Sequence, residues 1–169
     1  MSGPQWLDIA RRYIGLREIK GGLHNPQILQ WWKDIGASWY RDDETAWCGA
    51  YLGGVLVEAG FQPPAKGEGA RAKAWLDYGK RLDRPAVGCI VVFDRAGGGH
   101  VGFVVGRDQL GNLMVLGGNQ SDGVNIKPFA MTGRNSRILG YRWPSVWPAE
   151  HRFDLPLVRS DGKLSTNEA

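Results

Sequence analysis

Val87-Gly88-Cys89-Ile90-Val91-Val92-Phe93 is an almost continuous apolar run of strand length, ended by Asp94-Arg95. Such a run, bounded by turn residues, reads as a central, buried strand. Gly97-Gly98-Gly99 follows as a loop. His100 to Arg107 is then a second strand, with Val101, Phe103 and Val105 on one face and His100, Gly102 and Val104 on the other. Asp108-Gln109-Leu110-Gly111 makes a hairpin loop into a third strand, Asn112 to Asn119. Pairing Arg107 with Asn112 sets His100 opposite Asn119, whereas a two-residue loop at Gly111-Asn112 pairs Leu110 with Leu113. The two registers differ by an even number of residues, so both keep His100 and Asn119 on one face of the sheet.

On the C-terminal side, Val124 to Ile126 and Ile138 to Trp143 are short further strands, and Trp143-Pro144 and Trp147-Pro148 close the domain. On the N-terminal side the period changes to helical. Ser2 and Gln5 fit a capping box ahead of Trp6, Ile9, Ala10, Tyr13 and Ile14, and Gly15 stops the pattern. Asn25-Pro26 supplies a cap and a first-turn proline for a stripe of Ile28, Trp31, Trp32 and Ile35. Thr45 can cap a third helix whose apolar face is Cys48, Tyr51, Leu52, Val55, Leu56 and Ala59, with Gly60 beyond it. Gly53 and Gly54 each cost that helix about 1 kcal/mol relative to alanine, which is tolerable where another backbone packs closely. Ala72, Trp75 and Leu76 suggest a fourth helix. Helices followed by antiparallel strands make an α+β domain over 1–150. Residues 151–169 are a C-terminal tail, polar and aperiodic from about Leu157, that reads as extended or mobile.

The chain has 169 residues, 43% hydrophobic and 22% charged, enough for one packed core and too apolar for disorder. Cys48 and Cys89 lack the close spacing of a zinc knuckle or a redox pair, and two cysteines cannot staple a fold. No metal and no organic cofactor is expected. No apolar run is long enough to span a membrane, so no membrane insertion is expected, and the N-terminus lacks the features of a signal peptide. The net charge of +4 permits attraction to an anionic surface but identifies no nucleic-acid partner, and none is expected. A monomer is expected.

Three features meet in this plan: a cysteine in the first turn of a helix, a histidine opening a strand, and an amide residue ending the partner strand. Thiol chemistry needs these types. A helix N-terminus beside an imidazolium lowers a thiol pKa, so thiolate becomes populated near neutrality. Histidine takes the thiol proton and returns a proton to the leaving amine, while an amide oxygen on its other ring nitrogen sets tautomer and orientation. Cys48, His100 and Asn119 are the candidates. Backbone N–H groups at the start of the Cys48 helix, with the Gln120 side chain, would stabilise an oxyanion, and Trp47 would line a substrate cleft. Taken alone, Cys48 reads as a buried core thiol and His100 as a loop histidine; their joint placement points to chemistry. Cys89 reads as structural, and His24 and His151 as solvent-exposed side chains without partners.

Gly15-Leu16-Arg17-Glu18-Ile19, His24-Asn25-Pro26-Gln27-Ile28, Glu44-Thr45-Ala46-Trp47-Cys48, Gly99-His100-Val101-Gly102-Phe103-Val104 and Gly117-Gly118-Asn119-Gln120-Ser121-Asp122-Gly123-Val124, taken together, resemble phage and bacterial cell-wall peptidases. These form the NlpC-like and CHAP (cysteine, histidine-dependent amidohydrolase/peptidase) branch of the papain-like fold, and the likeness covers roughly residues 1 to 145. The resemblance implies N-terminal helices packed on an antiparallel β-sheet, with Cys48 as nucleophile, His100 as base and Asn119 as the orienting residue. It also implies a peptidoglycan substrate, cleaved between stem-peptide residues or between muramic acid and L-alanine, as by a phage or prophage endolysin. A protein made in the cytoplasm without a signal would then reach the wall by release, on a virion or by injection. One departure is that Gly88 precedes Cys89 where such sequences often carry Gly-Asp, which bears on local hydrogen bonding. A non-catalytic wall-binding or phage structural module, and an acyltransferase using the same Cys-His pair, are the alternative readings.

Overall fold

The computed structural model describes residues 3–21, 23–41 and 46–166. Helix α1 spans Gln5–Arg12 and buries Trp6, Leu7, Ile9 and Ala10. Its expected cap, Ser2, lies outside the described residues, as does Thr45. Helix α2, Pro26–Asp34, begins as expected: the Asn25 side chain accepts the Gln27 N–H at 2.9 Å and Pro26 takes the first helical position. Helix α3, Cys48–Glu58, is apolar nearly all round and buried from Cys48 to Leu56. A helix of that composition must sit inside the protein, and α3 packs between α1 and α2 on one side and the sheet on the other. Gly54 makes this possible, since a Cβ there would lie 2.1 Å from Trp31 Cδ1. The close neighbours of Gly53 and Gly54 are the Ile35 and Trp31 side chains rather than another backbone. The expected fourth helix is a 3₁₀ segment, Ala72–Asp77, preceded by another at Ala65–Ala70.

Among the described residues six antiparallel strands follow: β1 Lys80–Leu82, β2 Ile90–Arg95, β3 Gly98–Arg107, β4 Leu113–Gln120, β5 Gly123–Phe129 and β6 Ile138–Trp143, in the order β1-β6-β2-β3-β4-β5. The α+β architecture of helices on an antiparallel sheet is thus the one expected. Strand β1 is too short and polar to have been legible; it exists because it pairs with β6. The glycine loop is shorter than expected. Gly98 and Gly99 belong to β3, Arg95 pairs with Gly98, and only Ala96 and Gly97 turn the chain. That register sets Phe93 opposite His100.

Between β3 and β4, Arg107 pairs with Leu113, but a shift between Val104 and Gly106 restores the register in which Phe103 faces Leu116 and Val104 faces Val115. Near the site this is the first of the two expected registers. Beyond it, β4 is irregular: Gly117 pairs with Asn125 and Gln120 with Gly123, so Gly118 and Asn119 together oppose one residue of β5, and Asn119 has φ +58°.

The C-terminal segment is extended and tied to the sheet. Arg107 donates to Pro156 O at 3.0 Å and accepts from Val158 at 2.8 Å, and Ser165 donates to Pro128 O at 2.9 Å. Unpaired edge backbone recruits such a segment whatever its side chains. Among the described residues no helix is long and apolar enough to cross a membrane.

Candidate active site

Cys48 is the first residue of α3, and Trp47, the residue before it, contributes no side-chain cap. The first-turn N–H groups have no partner within the helix and carry its positive dipole end. Because α3 packs against β3 and β4, Cys48 faces the start of β3, where the Val101 backbone N–H points at its sulfur. Burial pushes the thiol above its ordinary range, against the pull of that N–H and of the Arg95 charge. The helix start therefore does not leave a thiolate at neutrality, contrary to expectation: the thiol is only 3% exposed, and losing water outweighs the dipole.

His100 is 1% exposed and stacks on Phe93 and Phe129, with ring centroids at 5.9 and 5.6 Å. Burial among these rings pushes its pKa down to about 4 although the Gln120 hydrogen bond works the other way. Its Nε2 lies 3.0 Å from Gln120 Oε1. The Gln120 amide is oriented unambiguously, because its Nε2 donates to Asn125 O at 2.9 Å and reaches Asn125 Oδ1 at 3.0 Å. Its oxygen therefore faces the imidazole and requires the proton on Nε2. Nδ1 makes no hydrogen bond and carries the lone pair.

This corrects two expected roles. The amide on the histidine ring is that of Gln120, not Asn119, because the irregularity in β4 turns Asn119 off the regular strand geometry and brings the next residue to the ring. Gln120, committed to His100 and Asn125, is not a free oxyanion donor. Asn119 is fully buried beside it. Gly117 is required here, since a Cβ on it would lie 2.3 Å from Gln120 Oε1. Asn125, which also returns a 2.7 Å bond from its Nδ2 to Gln120 O, was not legible: its position depends on the turn between β4 and β5.

Trp47 lines no open cleft. It is fully buried, stacks on Trp31 at 6.1 Å, and donates its indole N–H to Glu18 Oε1 at 2.8 Å. Cys89 is fully buried and its thiol pushed up to about 12 by burial; its sulfur accepts the Ala86 N–H at 3.4 Å, which gives the altered Gly88-Cys89 position its own local bond. His24 is half-buried and has interactions, so it is not the isolated surface side chain expected; the His151 side chain lies outside the described residues. Among the described residues no group of three His, Cys, Asp or Glu is placed to hold a metal ion.

Helices on an antiparallel sheet, with a cysteine heading the central helix beside a histidine on the facing strand, define an α+β domain of papain-like type. Residues 39–119 match the CHAP domain, a stretch that takes in Cys48, β2, His100 and Asn119. That stretch is similar to the CHAP domain, and CHAP domains are typically cysteine- and histidine-dependent amidohydrolases. CHAP domains in general are peptidoglycan hydrolases, acting as amidases or endopeptidases. No curated protein matches the sequence.

Proposed function

We propose that the protein cleaves a peptidoglycan amide bond through a Cys48 thioester, with His100 as general base and then acid and Gln120 as the residue that orients the imidazole. The observation that carries this reading is the 3.0 Å contact of Gln120 Oε1 with His100 Nε2, which calls for the proton on Nε2 and leaves the Nδ1 lone pair next to the strand residue whose N–H points at the Cys48 sulfur. In the first step the thiol proton passes to His100 Nδ1 as sulfur bonds to the carbonyl carbon. The oxyanion takes N–H groups from the first turn of α3. His100 then gives the proton to the leaving amine, the C–N bond breaks, and a thioester remains. Water, deprotonated by His100, attacks the thioester carbonyl and releases the acid and the Cys48 thiol. The reading extends to a phage or prophage lysin acting at the cell wall.

The test is hydrolysis of purified sacculi by wild type, Cys48→Ala, His100→Ala and Cys89→Ser. New amine groups and soluble muropeptides should appear with wild type and Cys89→Ser and be lost in the other two. Full activity in Cys48→Ala would overturn the mechanism. Mass spectrometry of the muropeptides identifies the bond, and sedimentation with sacculi without release would favour a wall-binding module instead.

A further inference from the structure

A cavity of about 370 Å³ lies between the ends of β2 and β5, the connection from β5 to β6 and the C-terminal segment, and its walls have an unusual charge. Phe93 and Phe129, the two rings stacked on His100, form part of its lining. Three further lining residues, Arg95, Arg134 and Arg137, are arginines. Arg95 ends β2, and its Nε and Nη1 are both buried without a hydrogen-bond partner. Its charge reaches both Cys48 and His100. The acidic residue in the lining, Asp94, is committed to Lys73 at 2.7 Å. Among the described residues none of the three arginines forms an ion pair.

Buried guanidinium donors without partners are costly, and three like charges around one cavity add repulsion. An anion relieves both. Arginine is the side chain best suited to a carboxylate, and the apolar Phe93–Phe129 wall suits the carbon skeleton that bears one. The volume is that of a small-ligand pocket, enough for a residue of a peptide rather than for a bare ion.

We propose that this cavity is a carboxylate-binding subsite, centred on Arg95 and supported by Arg134 and Arg137, that takes a free carboxylate of the stem peptide. The inference rests on the hydrolase reading for its ligand class, but its test does not depend on turnover.

The probe is a synthetic stem tetrapeptide as the free acid, and the same peptide with every carboxyl converted to carboxamide, titrated into the Cys48→Ala protein by calorimetry. The acid should bind at least tenfold more tightly than the amide. Adding Arg95→Gln should bring that ratio to about one while changing amide binding less than twofold. Arg95→Lys should keep part of the preference. Arg134→Gln, in the connection between β5 and β6, provides a second variant away from the buried strand and should lower the ratio severalfold. Equal binding of acid and amide to Cys48→Ala, or an equal loss of both in Arg95→Gln, overturns the subsite, as does displacement of the acid by inorganic phosphate at comparable concentration. A protein that selects the acid peptide but releases nothing from sacculi loses the proposed function and keeps the subsite.

Discussion

The His100 imidazole is held on one edge by Gln120 and buried against the Phe93 and Phe129 rings, so it is neutral in the folded protein at neutral pH. Its folded pKa of about 4 lies below the ordinary value of 6.5, so the unfolded chain takes up a proton before the native one does. The stability this confers is complete above pH 6.5 and falls by about 3 kcal/mol as the pH drops to 4. Urea midpoints measured at pH 7 and pH 4.5 should show a loss in wild type that shrinks in His100→Gln; an equal loss in both would remove His100 as its source. The thiol is neutral for the same reason, since burial raises Cys48. Ultraviolet thiolate absorbance should be absent at pH 7 and grow in only above the ordinary thiol range; its appearance at pH 7 in wild type but not in Cys48→Ala would contradict this. At Gly117 a methyl group would displace the Gln120 oxygen from the ring. Gly117→Ala should therefore lower kcat on sacculi about 100-fold, the scale on which a misplaced catalytic group costs rate, with cooperative unfolding retained.

At the scale of elements, α3 carries Cys48, the proposed nucleophile, and is buried from Cys48 to Leu56, so its packing bears on the proposed chemistry. Trp31 lies across Gly54, stacks on Trp47 and meets Tyr51 edge-on at 5.2 Å, linking α2 to the residue before Cys48. Gly54→Ala would force Trp31 out of that stack. It should destabilise the protein by about 1–3 kcal/mol, the usual cost of overpacking, measurable as a lower urea midpoint with an unchanged slope. Strand β4 shows the limit of pattern reading. Its alternation and its pairing with β3 were legible, but the extra residue that exchanges Asn119 for Gln120 at the imidazole was not. A bulge leaves no period of its own in a sequence; it is selected by what the adjacent strand and the buried ring require. The same holds for the Ala72–Asp77 segment, where Trp75 and Leu76 have helical spacing but too few residues to complete an α-helix.

At the scale of the molecule, the C-terminal segment closes the far end of the hairpin. Asp108 accepts from Leu110 N, Asn112 N, Asn112 Nδ2 and, at 2.5 Å, Ser160 Oγ. Burial would raise this carboxyl, but these donors hold it below its ordinary value, so its contribution is present above that value and is lost as the pH falls beneath it. Asp108→Ala should destabilise the fold by about 2 kcal/mol, or lower Tm by about 4–8 °C. It should also release the strap to trypsin at Arg159 and Lys163. Unchanged cleavage would mean that the Arg107 backbone bonds alone hold it.

Amino-acid order by itself determined what depends on local periodicity: helices before strands, the β3–β4 hairpin and the helix start at Asn25-Pro26; it also singled out Cys48 and His100 as candidates from two cysteines and three histidines. Tertiary structure alone decided what depends on desolvation and on distant neighbours. It put Gln120 rather than Asn119 on the ring, buried Trp47, made the thiol and imidazole neutral, and left Arg95 Nε and Nη1 buried without hydrogen-bond partners. The physical reason is that periodicity is a property of one segment, whereas protonation, burial and unmet hydrogen bonds are set by whatever the rest of the fold packs around a group.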